Sequence, residues 1–348
     1  QEGVQEVSNG SFSQEGAEEI TNGDFSNGNA NWTLDGTNAP IVENGLLKFS
    51  FSNGTYSRAR QNIGIVNAKI TYTVVNSNVS TLQLRDYGGA DSQDVPATVG
   101  THTIYRNFTG NGINFQSGGV DSGILEIDNV SVKEVGQDWI SPDNAIDFSN
   151  NSVTINGGTG NRRLSQTNVT SPVSAQWKLQ YEITNKVGTS HLKFYTTNSG
   201  SAAYTVIPST VGVHTFYFNT SSTTIFFNFN NGVGSVSITN ISVKEVGQDW
   251  TLGSGWSIGD NKAISDGSAT AIQKDPLLTI DSTYQITATV SGNPSLLVFN
   301  SSSFYEPLSS RTLNNGTNTY ILKAKNVNFG ITNAGADICD ITNISVKE

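Results

Sequence analysis

The residues of this chain best suited to acid–base chemistry are its three histidines, His102, His191 and His214. His102 and His214 lie in matching contexts, Val-Gly-Thr-His-Thr-Ile-Tyr and Val-Gly-Val-His-Thr-Phe-Tyr, and the third matching stretch carries Asn318. A general base cannot be exchanged for Asn, whereas a strand-surface residue can. The sequence also contains no phosphate loop, His-Glu-x-x-His or Gly-x-Ser-x-Gly motif. We therefore expect a protein that is not an enzyme.

Carboxylates and one thiol are the other groups that could react. Carboxylate pairs hydrolyse glycosides, and the sequence leaves that alternative open, although acidic residues are sparse beyond the N-terminal segment. Cys339 aligns on an internal repeat with Leu125 and Val236. This alignment predicts a buried apolar side chain instead of a redox or nucleophilic group. A single cysteine also excludes a disulfide scaffold.

Composition favours β-structure and disfavours two classes of partner. Gly, Asn, Ser and Thr dominate the 348 residues, and β-branched and aromatic residues supply most of the apolar content. The net charge of −10 argues against nucleic-acid binding, because no basic surface replaces the counterions around phosphate. No apolar run approaches the 18 residues or so of a membrane-spanning helix, so no membrane insertion is expected.

One strand-like sequence organises the chain. The stretch 127–139, Ile-Asp-Asn-Val-Ser-Val-Lys-Glu-Val-Gly-Gln-Asp-Trp, returns nearly unchanged at 238–250, and its first eight positions return at 341–348. The copies start 111 and 103 residues apart, which is the size of a domain. Apolar alternation changes parity within each copy, and this change predicts a β-bulge near Asp128-Asn129.

These features predict an all-β protein of three tandem β-sandwich (jelly-roll) domains with a short N-terminal β-repeat segment. The predicted boundaries are 1–19 for the repeat segment, then 20–136, 137–247 and 248–348 for the domains. Trp32, Trp139 and Trp250 open the three domains in similar contexts and are predicted core anchors. Because the linkers are only Val-Gly-Gln, neighbouring domains should abut.

The N-terminal segment holds a second repeat. Residues 1–13 and 14–26 are identical at eight of thirteen positions, and each unit contains an Asn-Gly turn followed by a phenylalanine, Phe12 or Phe25. Such a small unit cannot bury its own apolar side chains. We predict that the segment serves attachment or oligomerisation, with Phe12 and Phe25 buried between copies or chains, for example in a trimer. Because Gln1 is in phase with the unit, further copies are expected upstream.

Asn22-Gly-Asp-Phe25, Trp32 and the terminal Ile127-Asp-Asn-Val-Ser-Val132 resemble the opening and closing strands of jelly-roll carbohydrate-binding modules carried by xylanases and cellulases. Tandem versions ending in Val-Ser-Val-Lys-Glu are similar to domains of tailed-bacteriophage virion proteins, as are the 13-residue units. The resemblance implies a structural calcium between the first and last strands, where Asp24 and Asp128 match. Only domain 1 offers both residues, so no cofactor is expected except this one calcium ion.

A glycan site needs exposed aromatic rings with polar neighbours. The mid-domain strand and the loop after it are the best candidates in each domain. Leu82, Leu192 and Leu296 should face the core, and Arg85, Tyr195 and Phe299 the opposite face. The candidate glycan-binding residues are Arg85, Tyr87, Tyr195, Tyr204, Phe304 and Tyr305.

Together with the resemblance, these patterns indicate a non-enzymatic virion surface protein, a fibre or capsid decoration, that attaches to host or environmental glycans through several weak sites. The expected partners are other virion proteins, further copies of the chain and polysaccharide, and the expected location is the virion surface or the extracellular space. Two alternatives stay open. One is a secreted glycan-binding array or cell-surface adhesin, and the other is a structural or filament-forming surface protein without a ligand.

Overall fold

A computed structural model describes residues 2–65, 67–89, 91–117, 122–141, 146–158, 162–173, 175–195, 204–229 and 233–348. The described residues form antiparallel sheets and one short 3-10 turn, Leu308–Ser310, which confirms the all-β prediction of tandem β-sandwiches. No helix in these ranges is long and apolar enough to cross a membrane.

Domain 1 is a sandwich of two sheets around one apolar core. Its first sheet has the order β3-β4-β11-β6-β9, with β1 also paired to β11, and its second has the order β2-β5-β10-β7-β8. The strands are β1 (Glu15–Glu18), β2 (Thr33–Gly36), β3 (Ile41–Glu43), β4 (Leu46–Phe51), β5 (Ser57–Gln61), β6 (Asn67–Ser77), β7 (Leu82–Asp86), β8 (Ser92–Val95), β9 (Gly100–Asn107), β10 (Ile113–Ser117) and β11 (Gly123–Val135).

Domain 2 repeats this plan, with sheets of order β12-β13-β20-β15-β18 and β14-β19-β16-β17. The strands are β12 (Ile146–Ser149), β13 (Ser152–Asn156), β14 (Arg163–Gln166), β15 (Gln176–Gly188), β16 (Leu192–Tyr195), β17 (Tyr204–Ile207), β18 (Gly212–Asn219), β19 (Ile225–Asn228) and β20 (Gly234–Val246).

Domain 3 has sheets of order β22-β23-β30-β25-β28 and β21-β24-β29-β26-β27. The strands are β21 (Thr251–Leu252), β22 (Trp256–Gly259), β23 (Lys262–Asp266), β24 (Ala271–Lys274), β25 (Thr283–Ser291), β26 (Leu297–Phe299), β27 (Thr312–Leu313), β28 (Gly316–Lys323), β29 (Phe329–Asn333) and β30 (Ile338–Lys347).

Simple alternation builds these sheets, and β6 shows how. Ala68, Ile70, Tyr72 and Val74 are buried, while the residues between them face outwards. A strand with one apolar face is stable only when that face meets a second sheet, which is the sandwich arrangement.

The predicted bulge is present in all three closing strands. The register of β11 against β6 shifts between Asp128 and Ser131, and β20 and β30 shift at the matching positions. Asn129, Asn240 and Asn343 each have a φ of 51°, in the left-handed region that Asn tolerates better than most residues. The inserted residue lets Leu125 and Ile127 before it, and Val130 and Val132 after it, all face the core.

The N-terminal units are parts of the sandwiches, and this corrects the prediction of a separate segment at residues 1–19. Unit 2 (residues 14–26) contains β1, which pairs with the second half of β11 in domain 1. Unit 1 (residues 1–13) lies on the second half of β20 in domain 2, where Glu2 bridges to Val246. The two units therefore run along the domains in reverse order.

Neighbouring domains meet directly. The Asn107 side chain donates a hydrogen bond to the carbonyl of Ile146, at 2.7 Å, and Tyr105 packs on the domain 2 core. Between domains 2 and 3, the hydroxyl of Tyr217 accepts a hydrogen bond from the Asp260 amide at 2.9 Å. Each junction thus reuses the matching tyrosine of β9 or β18.

Candidate functional site

The outer face of the second sheet of domain 1 carries a row of cationic and aromatic side chains. Asp35 on β2 binds Arg58, at 2.6 Å, and also Arg60, both on β5. The Arg58 guanidinium lies 4.8 Å from the ring centroid of Tyr56, and that of Arg60 lies 4.9 Å from that of Tyr87. We call these five residues, Tyr56, Arg58, Asp35, Arg60 and Tyr87, the arginine–tyrosine row.

Local sequence explains why the row faces outwards. In Ser57-Arg-Ala-Arg-Gln61, Ser57, Ala59 and Gln61 are buried, so the two arginines between them share the opposite face. Asp35 lies directly across the strand pair from Arg58, with which it is in register, and its carboxylate also reaches Arg60. Because one carboxylate holds both guanidiniums, each arginine keeps the flat face of its guanidinium against a tyrosine ring.

The predicted residues Arg85 and Tyr87 belong to this face. Arg85 donates to the Gln83 side chain, at 2.8 and 3.2 Å, and to the Gly89 carbonyl at 2.8 Å. The register places Asn114 of β10 between Arg60 and Arg85. Asn114 is fully buried, and its amide has no hydrogen-bond partner within the described ranges. The face therefore offers guanidinium donors and two partly exposed rings, and it covers one buried amide that has no partner.

Domain 2 brings Tyr195 and Tyr204 together on the matching face. The two residues are in register on β16 and β17, and their ring centroids are 5.6 Å apart. The Lys193 ammonium lies 4.2 Å from the ring centroid of Tyr204. Tyr204 is 51% exposed, whereas Tyr195 is buried, which raises the pKa of its hydroxyl. Only Tyr204 can therefore present a ring to a ligand.

Domain 3 does not follow the prediction. Phe304 is 2% exposed and packs on Phe299 and Phe329 in the core, so it cannot contact a glycan. Phe299 is also buried, because the inward register of β26 begins at Leu297 and not at Leu296. Tyr305 is 53% exposed, with the Lys323 ammonium 5.7 Å from its ring centroid. It lies in the loop after β26, outside the sheet face.

The two proposed calcium ligands are occupied by local hydrogen bonds. One carboxylate oxygen of Asp24 accepts hydrogen bonds from the amide and hydroxyl of Ser26, and these lower the pKa of Asp24. Asp128 accepts hydrogen bonds from the amide and side chain of Asn129, at 2.7 and 3.1 Å. Within the described chain, no three His, Cys, Asp or Glu residues form a group that could hold a metal. The calcium site remains a prediction.

Phe12 and Phe25 are buried within one chain, and this corrects their predicted role between copies or chains. Phe12 is 4% exposed and lies 5.3 Å, centroid to centroid, from Trp139 in the domain 2 core. Phe25 is 1% exposed and lies 5.4 Å from Trp32 in domain 1. The phenylalanine of each unit is buried when the unit docks on a domain of its own chain, so these rings give no reason to expect a trimer.

The other reactive groups lie in ordinary strand positions. The His102 and His214 rings each lie 2.6 Å from a backbone carbonyl, of Thr98 and Thr210. Cys339 is buried in domain 3, and burial raises the pKa of its thiol to about 11. A thiol with this pKa is a poor nucleophile at neutral pH.

No protein-family model and no curated protein matches the chain. Among solved structures, the chain is similar to a family 29 carbohydrate-binding module at 12% identity and a TM-score of 0.23, over 33% of this chain and 89% of the module. A tandem pair of family 22 modules from Paenibacillus barcinonensis matches at 8% and 0.23, over 67% and 98%. A structure from Sulfolobus Turreted Icosahedral Virus matches at 11% and 0.22, over 90% of each chain. Likenesses this distant carry no argument about function.

Sequence reasoning missed four members of the arginine–tyrosine row, namely Tyr56, Asp35, Arg58 and Arg60. The signal was present, because two arginines two positions apart on a short strand share one face. In a chain with only 19 Lys and Arg residues, such a pair indicates a cationic patch on one face of a sheet.

Proposed function

We propose that this chain is a non-enzymatic binding protein of a tailed-phage virion surface, as a fibre or capsid decoration, and that it holds glycans weakly on the outer sheet faces of domains 1 and 2. The arginine–tyrosine row carries the proposal. Flat rings can stack on sugar rings, and guanidinium and amide groups can bind hydroxyls beside them. The phage setting is supported only by the resemblance of the strand-end motifs and the 13-residue units.

Asn114 lies fully buried beneath the domain 1 face. A buried amide without a partner costs about 1–3 kcal/mol, so a ligand hydroxyl or ordered water that reached it would offset part of that cost. The exposed ring of Tyr204, which lies against the buried Tyr195, gives domain 2 a second, different platform. Two unlike platforms on abutting domains favour an extended polysaccharide over a small sugar, since occupancy of one raises the effective concentration at the other.

A structural role without a ligand is the second candidate. The direct hydrogen bonds at both domain junctions favour it, because they hold the tandem domains against one another. The Asp35 carboxylate also pairs with both arginines and so offsets part of their charge within the chain.

A glycan array followed by titration calorimetry separates these candidates. We expect the unmodified chain to bind one class of polysaccharide. Arg60→Ala should remove a hydrogen-bond donor and Tyr87→Ala a stacking ring, and each should weaken binding about tenfold. Lys48→Ala, on the first sheet of the same domain, is the matched control and should bind normally. Binding unchanged in both row variants, or no bound glycan at all, would overturn the proposal in favour of the structural role.

A further inference from the structure

The units dock on domains 1 and 2 through the same contacts. Glu15 pairs with Lys69 and Lys133, and Glu2 pairs with the matching Lys178 and Lys244. Beyond the bulge, the Val130 amide donates to the Gly23 carbonyl, and the Ile241 amide donates to the Gly10 carbonyl, both at 2.9 Å. A peptide strand added to an exposed sheet edge gains main-chain hydrogen bonds from the edge and specificity from side-chain pockets.

The indole of each opening tryptophan fixes the turn of its unit. The Trp32 Nε1–H donates to the Asn22 carbonyl and the Trp139 Nε1–H to the Asn9 carbonyl, each at 3.1 Å. In both units this turn places the phenylalanine on the tryptophan ring.

Domain 3 has the same receiving edge, and neither unit lies on it. β30 bulges at Asn343 as β11 and β20 do. Among the described residues, no backbone carbonyl outside the strands accepts a hydrogen bond from the Ile344 amide, whereas the Gly23 and Gly10 carbonyls accept one from the Val130 and Ile241 amides. Ile344, Val346 and Trp250 are half-buried, whereas their counterparts in domains 1 and 2 are buried.

A pocket of about 280 Å³ lies between Trp250 and β30 in domain 3. Its lining includes Trp250, Ile258, Ala263, Ile272 and Ile341. By strand register, Ile258 and Ala263 of domain 3 correspond to Phe148 and Val153 of domain 2. Phe12 rests on that same Phe148, at 5.8 Å between centroids, and on Trp139. The pocket thus occupies the place that Phe12 fills one domain earlier.

The charge of the groove suits an acidic peptide. Lys347 occupies the position of Lys133 and Lys244, the lysines that bind the second residue of each unit. Lys262 and Lys274 line the pocket as well, each paired with an aspartate, Asp340 at 2.9 Å and Asp249 at 3.5 Å.

Two contacts must differ in domain 3. Lys274 stands where Gln61 and Gln166 bind the unit backbone in domains 1 and 2. Gln285, in register with Lys347, stands where Lys69 and Lys178 pair with the glutamate of each unit.

We propose that the groove formed by β30, Trp250 and Ile258 binds a third 13-residue unit, joined in front of Gln1, with its phenylalanine in the pocket. The direction follows from the arm already present. Unit 2 covers domain 1 and unit 1 covers domain 2, and Glu2 lies at the wall of the domain 3 pocket. A third unit that ends beside Glu2 would lie on domain 3, which continues the reverse order, and the arm would not have to cross itself.

The test uses the full chain with a copy of unit 1 fused in front of Gln1. The control carries the same fusion with its phenylalanine and second glycine replaced by Ala and Val, respectively. We expect the intact fusion to shift Trp250 fluorescence and to slow hydrogen exchange in residues 338–348 at least tenfold relative to the control. A short linker gives a tethered unit an effective concentration on the order of millimolar, so weak docking is still detected.

Two further measurements complete the test. A free peptide of the unit 1 sequence should compete with the fused unit, and Ala263→Phe, which fills the pocket without adding a tryptophan, should abolish the fluorescence shift. Equal exchange in the intact and control fusions would overturn the proposal. So would protection that appears only with concentration-dependent dimers, because the groove would then receive a unit from a second copy.

Discussion

Truncation of one unit phenylalanine should destabilise one domain and spare its neighbour. Phe12 is nearly fully buried among Trp139 and Phe148 of domain 2, and Phe→Ala at such sites costs about 3–5 kcal/mol. About 1.4 kcal/mol changes an equilibrium constant tenfold. Phe12→Ala should therefore raise the rate of hydrogen exchange through global opening of domain 2 by a factor of about 100 to 3,000. Phe25→Ala should do the same to domain 1.

Hydrogen exchange with mass spectrometry resolves the two domains. The slowest amides of β15 and β20 report domain 2, and those of β6 and β11 report domain 1. Val4→Ala is the matched control in unit 1, because Val4 is 73% exposed and should change neither domain. An equal effect of Phe12→Ala on both domains, or no effect on domain 2, would refute the assignment of unit 1 to the domain 2 core.

Three other substitutions test the docking geometry. A Cβ at Gly23 would overlap the Val130 carbonyl, so Gly23→Ala should destabilise domain 1 by about 1–3 kcal/mol in urea titrations, while Gly64→Ala, which meets nothing within 4 Å, should be neutral. Asn129→Ala should cost about 1 kcal/mol and Asn129→Gly less, since the bulge needs a positive φ; equal costs in thermal melts would contradict this. Hydrogen bonds from Lys69 and Lys133 lower the pKa of Glu15 below its usual 4.5, so its stabilising effect is complete above pH 4.5 and is lost as the pH falls through the lowered value. The stability difference between the unmodified chain and Glu15→Gln should therefore shrink from pH 7 to pH 3, and a constant difference would refute the ion-pair role.

The fold was predictable because the closing strand repeats. Its parity change required an inserted residue, and a left-handed Asn is present at that place in all three copies. The docking of the units was not predictable, because the 13-residue pattern shows only that Phe12 needs burial and not which surface buries it. Nothing local distinguishes a neighbouring chain from a domain more than 100 residues away in sequence, such as the one containing Trp139.

The candidate site was partly predictable. Alternation placed Arg85 and Tyr195 outwards correctly, but a one-residue error of register in domain 3 put Phe299 on the wrong face. Phe304 was misplaced because an aromatic residue in a loop sequence carries no sign of whether it folds back into the core. The pairing of Arg60 with Tyr87 depends on tertiary contact across strands, which no sequence spacing encodes.

Chemical cross-linking tests the reverse order of the units most directly. A carbodiimide couples carboxylates to amines that lie at ion-pair distance, and mass spectrometry identifies the coupled residues. The Glu2 carboxylate oxygens lie 2.5 Å from the Lys178 Nζ and 3.3 Å from the Lys244 Nζ. Those of Glu15 lie 2.5 Å from the Lys69 Nζ and 3.1 Å from the Lys133 Nζ. We predict coupling of Glu2 to the domain 2 lysines and of Glu15 to the domain 1 lysines, within single chains in a mixture of heavy and light protein. Exchanged partners, or coupling only between heavy and light chains, would contradict the reverse order of the units.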